Sequence, residues 1–352
     1  MSLAALSAAN VRCIARAELE LHPEHNLIWG ANGSGKTSVL EAIYLLGRGR
    51  SFRTRNSQRL IRYGESQLAV QGRTGTPAEN TIGIQVSRTG GTIARLSGAS
   101  VQSLAELSSA FPVQIIDPGI HKLVEDGGHR RRRWMDWGVF HVEHAFLHQW
   151  SSYMRALKQR NAALRMAAEP ATVWDIELVR WGELLADTRR RWIGQLMPHW
   201  RELVLSLVGF DVDLTYNRGW SEDLSFADAL AASQTRDALY RTTHVGPHRA
   251  DATPRIGRHL AREVLSRGQQ KLVGLALVLA QLRLLQVECA ITPTLLLDDP
   301  AAELDQERLA AFIEQVRKLN CQLVITALEP ESDAFGGPNR VFHVEHGTVQ
   351  PV

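Results

Sequence analysis

The chain has 352 residues, with 40 Lys plus Arg against 37 Asp plus Glu and a formal charge of +3. A near-neutral sum excludes a tail-like polycation that holds nucleic acid by bulk charge, though not a basic face balanced by acids elsewhere. An apolar share of 44% with 22% charged residues excludes a disordered chain, and no uninterrupted apolar run is long enough to span a bilayer. At this length two domains or lobes are expected. Only five basic residues are lysines, leaving 35 arginines, an excess that a GC-rich coding bias explains most simply.

The first 30 residues alternate, with Val11, Cys13, Ala15 and Ala17, then Leu19 and Leu21, then Leu27 and Ile28 on the repeat. A period of two predicts strands, closing on Trp29 and a glycine-rich turn. From Ser38 the period lengthens to that of a helix carrying Val39, Leu40, Ile43, Leu45 and Leu46. Residues 66–116 return to short strands punctuated by glycine. After Asp126-Gly127-Gly128 the texture changes, and residues 134–208 read as two or three long helices rich in Trp, Leu, Ala and Arg. Seven of the nine tryptophans lie between Trp134 and Trp200. Trp174 and Trp181, two helical turns apart, predict a packing stripe on one helix face. A strand follows at residues 210–216, then a long apolar helix from about Gln269 to Val287. Strands at residues 294–298 and 321–326 close the pattern. There is no internal repeat, no low-complexity segment and no sustained heptad.

Cys13, Cys289 and Cys321 are far apart and form no C-x-x-C pair. They read as buried thiols of a reducing cytosol with no metal site. The opening residues lack a basic stretch ahead of their small residues, so a secretory signal is not expected and a cytoplasmic location is.

Residues Gly30 to Thr37, GANGSGKT, match G-x-x-x-x-G-K-[ST] at every fixed position, after an apolar strand and before an apolar helix. Glycines there let successive N–H groups turn inward on a phosphate, and the helix start adds the positive end of its dipole. Lys36 can reach the β and γ phosphates, and the Thr37 hydroxyl can ligate Mg²⁺. Leu295-Leu-Leu-Asp298-Asp299 is an apolar strand ending in two carboxylates. One carboxylate at such a rim can hold Mg²⁺, and a second can orient or deprotonate an attacking water. Leu265-Ser266-Arg267-Gly268-Gln269-Gln270-Lys271 precedes the apolar helix, with Ser266 as its N-cap and the following N–H groups as an anion site.

This order of phosphate loop, helix-start signature and acidic strand resembles the ABC-type ATPases. Pro300-Ala-Ala-Glu303-Leu304-Asp305 resembles the D-loop of that superfamily. Within it the chain resembles the RecF family. The stretches that carry the likeness begin with Asn32 to Tyr44, Gly49-Arg-Ser-Phe-Arg53 and Leu157-Lys-Gln-Arg-Asn161. Thr243 to Asp251 (THVGPHRAD), Leu265 to Gln269 and Leu297 to Asp305 complete them. The resemblance implies an α/β fold: a P-loop ABC-type ATPase lobe formed by both chain ends, with a largely helical second lobe inserted. The expected division is 1–124 for the N-terminal part of the ATPase lobe, 125–264 for the insert, and 265–352 for the signature helix with the rest of the ATPase lobe.

It further implies that Gly30, Ala31, Asn32, Gly33, Ser34, Gly35, Lys36, Thr37 and Ser38 bind ATP. Thr37 and Asp298 would hold Mg²⁺, and Asp299 would stand where most relatives carry a catalytic Glu, one methylene shorter. Ser266, Gly268, Gln269 and Asp305 would complete the nucleotide site of an opposite subunit. Many relatives carry a switch His after the last strand; here Ile325 is followed by Thr326, Ala327 and Leu328, and Thr326 is the candidate in its place. Gln114 stands open between a lobe-linking role and an ordinary strand glutamine. The implied function is a slow, DNA-stimulated ATPase that dimerises on ATP. It would bind duplex or gapped DNA near single-strand/double-strand junctions and support RecA loading with RecR and RecO, with no membrane partner.

Between Arg48 and Arg62 lie six arginines (Arg48, Arg50, Arg53, Arg55, Arg59, Arg62) and no acid. Arg130 to Arg133 and Arg189 to Arg191 are further runs. Charge runs are usually solvated faces or ion-pair partners. The first stands out because it follows the phosphate-loop helix and mixes in Gly, Ser and Thr, so Arg48, Arg50, Arg53 and Arg55 are the DNA candidates. His244, His248 and Arg249 belong either to a lobe junction or to a structural polar network. Three alternatives remain in view: a transporter's nucleotide-binding subunit, an SMC-like DNA-organising scaffold, and a pure binding scaffold in which hydrolysis is vestigial. Against the first, Lys36 and Ser266 are far apart in the chain; against the second, a long coiled coil is missing.

Overall fold

Two stretches of chain, Met1–Ile120 and Ala290–Val352, fold into one unit, and the residues between them, His121–Cys289, form another. This computed structural model describes residues 2–75, 79–166, 171–302, 304–330 and 335–352. Glu303 of the D-loop stretch lies outside the described residues.

The first unit opens with β1 (Leu3–Val11), β2 (Ile14–Glu20), β3 (His25–Trp29) and α1 (Lys36–Arg48). It continues with β4 (Gln67–Thr74), β5 (Thr81–Ser87), β6 (Gly91–Leu96), β7 (Ala99–Ser100), α2 (Leu104–Ala110) and β8 (Val113–Ile116). The second unit holds α3 (Lys122–Glu125), α4 (Gly128–Val142), α5 (Phe146–Met166), α6 (Asp175–Val208) and β9 (Asp213–Asn217). After these come α7 (Phe226–Tyr240), β10 (Asp251–Ile256), β11 (His259–Leu260), α8 (Ala261–Val264) and α9 (Arg267–Cys289). The chain then returns to the first unit with β12 (Thr294–Leu297), α10 (Gln306–Arg317), β13 (Leu323–Ala327), β14 (Arg340–Glu345) and β15 (Thr348–Pro351).

An antiparallel sheet in the order β2-β1-β4-β5-β6-β7 and a second sheet in the order β15-β14-β3-β13-β12-β8 enclose α1. Within the second sheet β14, β3, β13, β12 and β8 run parallel, so their C-terminal ends share one rim. Both faces of β12 and β13 are covered, which is why they read as unbroken apolar runs. Alternation suits the antiparallel sheet, where β4 buries Leu68, Val70 and Gly72 and exposes its intervening residues.

The alternation expected across the first strands breaks at one turn. Asn10 and Arg12 have φ of 58° and 55°, and the β1–β2 hairpin reverses there. Val11 is therefore buried while Cys13 and Ala15 are exposed, and burial resumes at Ile14 and Ala17. Cys13 is exposed and Cys289 half-buried; only Cys321 is the buried thiol expected of all three.

In the second unit α6 and α9 pack side by side, and α4 lies against both. The tryptophan core is Trp134, Trp137, Trp192 and Trp200, with Trp134 and Trp192 edge to face at 5.4 Å. The expected stripe of Trp174 and Trp181 is not there: Trp174 precedes α6, and Trp181 is only half-buried and donates to Glu177 on the surface. The signature helix α9 is long and apolar enough in composition to cross a membrane, yet most of it is buried in this unit. It packs against α6, α4 and α3, so the boundary falls after Cys289 and not before Leu265. A helix apolar all round needs cover on every side, and α4 and α6 supply it.

Candidate active site

The phosphate loop leaves β3 at the rim of the parallel sheet. Gly30 has φ 152°, and a Cβ there would stand 2.2 Å from the Val344 carbonyl oxygen of β14. Gly35 turns the chain into α1 with φ 122°, so neither position accepts a side chain without displacing its neighbours. The loop is pinned from two sides, Gly30 N–H donating to Ala327 O (3.3 Å) and Gly347 N–H to Ser34 O (2.9 Å).

Lys36 Nζ donates to Gly30 O at 2.6 Å and Ala31 O at 3.0 Å, so the ammonium caps the loop from within. Burial lowers its pKa, and the charges of Asp299 and Asp298 offset part of that effect. Ser34 Oγ is buried and has no hydrogen-bond partner among the described residues. An orphaned hydroxyl in a glycine-rich loop at a helix start, beside a lysine whose hydrogen-bond partners are loop carbonyls, fits a phosphate-bearing ligand.

Asp298 follows β12 directly, and Thr37 Oγ1 lies 3.0 and 3.2 Å from its two carboxylate oxygens. These residues, far apart in the chain, thus meet at the rim as a pair of hard oxygen donors. Such a pair fits Mg²⁺, which takes one or two protein oxygens and fills its remaining positions with water and phosphate. Asp299 has φ 50°, a left-handed conformation that Asp tolerates better than most residues. Its N–H donates to Thr326 Oγ1 at 2.9 Å.

Thr326 Oγ1 also sits 3.0 Å from Asp298 Oδ1, to which it can give its single hydrogen. The hydroxyl proposed as a phosphate sensor is thus engaged with the backbone of one acidic residue and the side chain of the other. It ties the Asp298 side chain to the Asp299 backbone, with Asp298 Oδ1 and Leu297 O as the acceptors within reach of its single hydrogen. Gln114 is buried inside β8 opposite Leu295, two residues short of that strand's end.

The signature belongs to the second unit. Gln269 N–H donates to Ser266 Oγ (3.3 Å) and Ser266 N–H to Gln269 Oε1 (3.0 Å), a reciprocal capping box at the start of α9. Ser266 and Arg267 are exposed, and Gly268 and Gln269 half-buried, so the helix start faces solvent. In the first unit Asp305 caps α10, accepting from Arg308 N–H at 3.0 Å.

The four arginines singled out for DNA separate into two kinds. Arg48 is buried, with its guanidinium 5.6 Å from the Tyr44 ring centre. Burial beside Arg48 also lowers the pKa of Arg50. Arg53 and Arg55 are exposed. The other two runs are largely ion-pair partners within the second unit. Arg131 pairs with Asp251 and Arg189 with Asp136, at 2.8 and 2.7 Å. His248 bridges Tyr153 OH (2.6 Å) and Thr243 O (3.0 Å), and His244 contacts Asp237, so these histidines belong to a polar network.

One buried polar cluster next to the phosphate-loop helix escaped the sequence reading. Glu41 in α1 is fully buried and accepts from Arg12 Nε (2.9 Å), Arg12 Nη2 (3.0 Å) and Ser51 Oγ (2.5 Å), with Arg53 at 3.7 Å. A lone carboxylate inside an otherwise apolar helix was the available signal.

The RecF/RecN/SMC N terminal domain family matches residues 2–349. The DNA replication and repair protein RecF of Pseudomonas paraeruginosa is 40% identical over 99% of this chain and 97% of its own length. A solved structure of the recombination mediator protein RecF-ATP in the RecFOR pathway superposes with a TM-score of 0.89 at 26% identity, covering 100% of this chain and 97% of that one. An SmcHead structure bound to the C-winged helix domain of ScpA, 16% identical with a TM-score of 0.59 and covering 100% of this chain and 97% of its own, shares the fold alone. The P-loop ABC-type architecture built from both chain ends, and an identity sustained along nearly the whole length of a curated relative, place this chain in the RecF family.

Proposed function

We infer that the chain is an ATP-dependent DNA-binding recombination mediator of replication and repair. The observation that carries the reading is the meeting of Thr37 with Asp298 beside a folded phosphate loop whose Ser34 hydroxyl has no partner among the described residues. On ATP binding Lys36 exchanges the Gly30 and Ala31 carbonyls for β and γ phosphate oxygens, and the N–H groups of residues 31–37 close round the phosphates. Mg²⁺ held by Thr37 and Asp298 would neutralise charge on those oxygens. Asp299 orients the water that attacks the γ-phosphorus and takes its proton, and ADP leaves as the phosphate separates. Its carboxylate reaches one methylene less far than a glutamate, which suits slow turnover.

ATP here joins two surfaces. The solvent-facing start of α9, with Ser266, Gly268 and Gln269, binds the γ-phosphate held by a second copy of the chain, and Asp305 lies in the same interface. The dimer grips duplex or gapped DNA near a junction through exposed arginines, and hydrolysis releases it, a nucleotide switch of the kind that loops holding a γ-phosphate provide. Cooperation with RecR and RecO, and support for RecA loading, are the reading that family membership supports. Lys36→Ala abolishes ATP-dependent dimerisation in sedimentation velocity; a variant that still dimerises with ATP refutes the reading. Single-turnover hydrolysis with and without gapped DNA measures how far DNA drives the enzyme.

A further inference from the structure

Tyr63 is 99% exposed, the extreme among the large hydrophobic side chains of the described residues. It sits at the tip of a β-turn in which Glu65 N–H donates to Arg62 O (3.1 Å), with Gly64 at φ 86° in the position that needs a left-handed residue. The turn is held firmly. Arg62 N–H donates to Asn10 O (2.9 Å), Asn10 Nδ2 to Glu65 Oε2 (3.3 Å) and Arg88 Nε to Glu65 O (2.9 Å). Behind it Leu60 and Ile61 are buried in the core, and Arg12 donates to the carbonyls of Leu60 and Arg59. Arg12 is itself fixed by the buried Glu41, on the helix that begins at Lys36.

Arg59, Arg62 and Arg88 have no carboxylate partner among the described residues, and the single acid of the turn, Glu65, is engaged by Asn10. A fully exposed ring on a held turn, in a basic segment whose arginines have no carboxylate partner among the described residues, suits a polyanion that also offers flat π faces. In a paired duplex the base faces are covered by their neighbours. Where the strand is unpaired they are not.

We propose that the Tyr63 turn is a base-stacking contact that reads an unpaired nucleobase in bound DNA, with Arg59, Arg62 and Arg88 taking the adjacent phosphates. The proposal rests on the DNA reading above and adds the group that distinguishes gapped from fully paired DNA. Because the turn's backbone is already held, stacking has only the Tyr63 side chain left to order.

The test measures binding, with ATP present, of a gapped duplex carrying 2-aminopurine in its single-stranded stretch and of a fully paired duplex of equal length. Tyr63→Ala weakens binding to the gapped duplex about 5- to 150-fold, the equivalent of ~1–3 kcal/mol for one base–aromatic stack, and leaves the paired duplex unchanged. It also loses the 2-aminopurine quenching that Tyr63→Phe retains. Unchanged ATP-dependent dimerisation of Tyr63→Ala shows that the fold is intact. Equal loss on both DNAs, or no loss on either, overturns the base-stacking assignment while leaving DNA binding in place. Wild-type protein that binds neither DNA overturns the DNA reading itself, and the proposal with it.

Discussion

Asp237 and Arg160 are 0% and 1% exposed, and their 2.7 Å ion pair ties α7 to α5. Asp237 also accepts from Ser233 Oγ and from the backbone and ring nitrogens of His244, so it holds the loop that leads to His248. Without Asp237 the buried Arg160 keeps only Asp175 and the Thr243 hydroxyl, so Asp237→Ala lowers unfolding stability by up to about 3 kcal/mol, read as a shift in the urea midpoint. His248 obeys a different rule. Burial, opposed by its bond to the Thr243 carbonyl, moves its pKa from 6.5 down to about 4. The folded state thus favours the neutral ring, and between those values the unfolded chain binds the extra proton. This contribution is complete above the unfolded pKa and is lost as pH falls towards the folded one. Wild type therefore loses up to about 2 kcal/mol more than His248→Gln between pH 7 and pH 5, measured by urea unfolding at each pH.

At the scale of elements, the start of α9 is capped by its own Ser266 and Gln269, so its conformation needs no ligand. Ser266→Arg places a bulky cation where the γ-phosphate of the opposite copy would dock, and costs only about 1 kcal/mol of capping. Monomer ATP binding persists in that variant while dimerisation and turnover fail; loss of nucleotide binding by the monomer would refute the assignment. The elements that carry motifs were legible because each motif marks a change of period: β3 into α1, α9 out of its cap, β12 into two aspartates. What stayed hidden depends on contacts distant in the chain. Nothing local announces that Thr326 ties Asp298 to Asp299, that Glu41 gathers Arg12, Ser51 and Arg53, or that Arg131 answers Asp251. The alternation through Cys13 misled because a tight turn with positive φ at Asn10 and Arg12 inserts an irregularity that a count of two cannot see.

For the whole molecule the near-neutral charge of +3 conceals an uneven allocation of partners. Arginine runs in the second unit are matched to acids: Arg130 with Asp126, Arg131 with Asp251, Arg189 with Asp136, Arg190 with Asp187 and Glu222. Along residues 53–62 of the first unit, Arg53 reaches Glu41 only at 3.7 Å, and Arg55, Arg59 and Arg62 have no acidic partner among the described residues. Unmatched cations are free to neutralise phosphates and release the counterions condensed on DNA, whereas matched ones are already neutralised by a carboxylate. Each phosphate neutralised on duplex DNA contributes about −0.9 to the slope of log K against log salt. Reversing Arg53 and Arg55 to Glu therefore weakens ATP-dependent DNA binding and makes that slope shallower by about 2. Reversing Arg190, which would break two surface ion pairs worth less than about 1 kcal/mol each, leaves the slope where it was. Titrations across a salt series separate the two outcomes, and a parental slope in the Arg53/Arg55 variant would move the DNA surface elsewhere on the molecule.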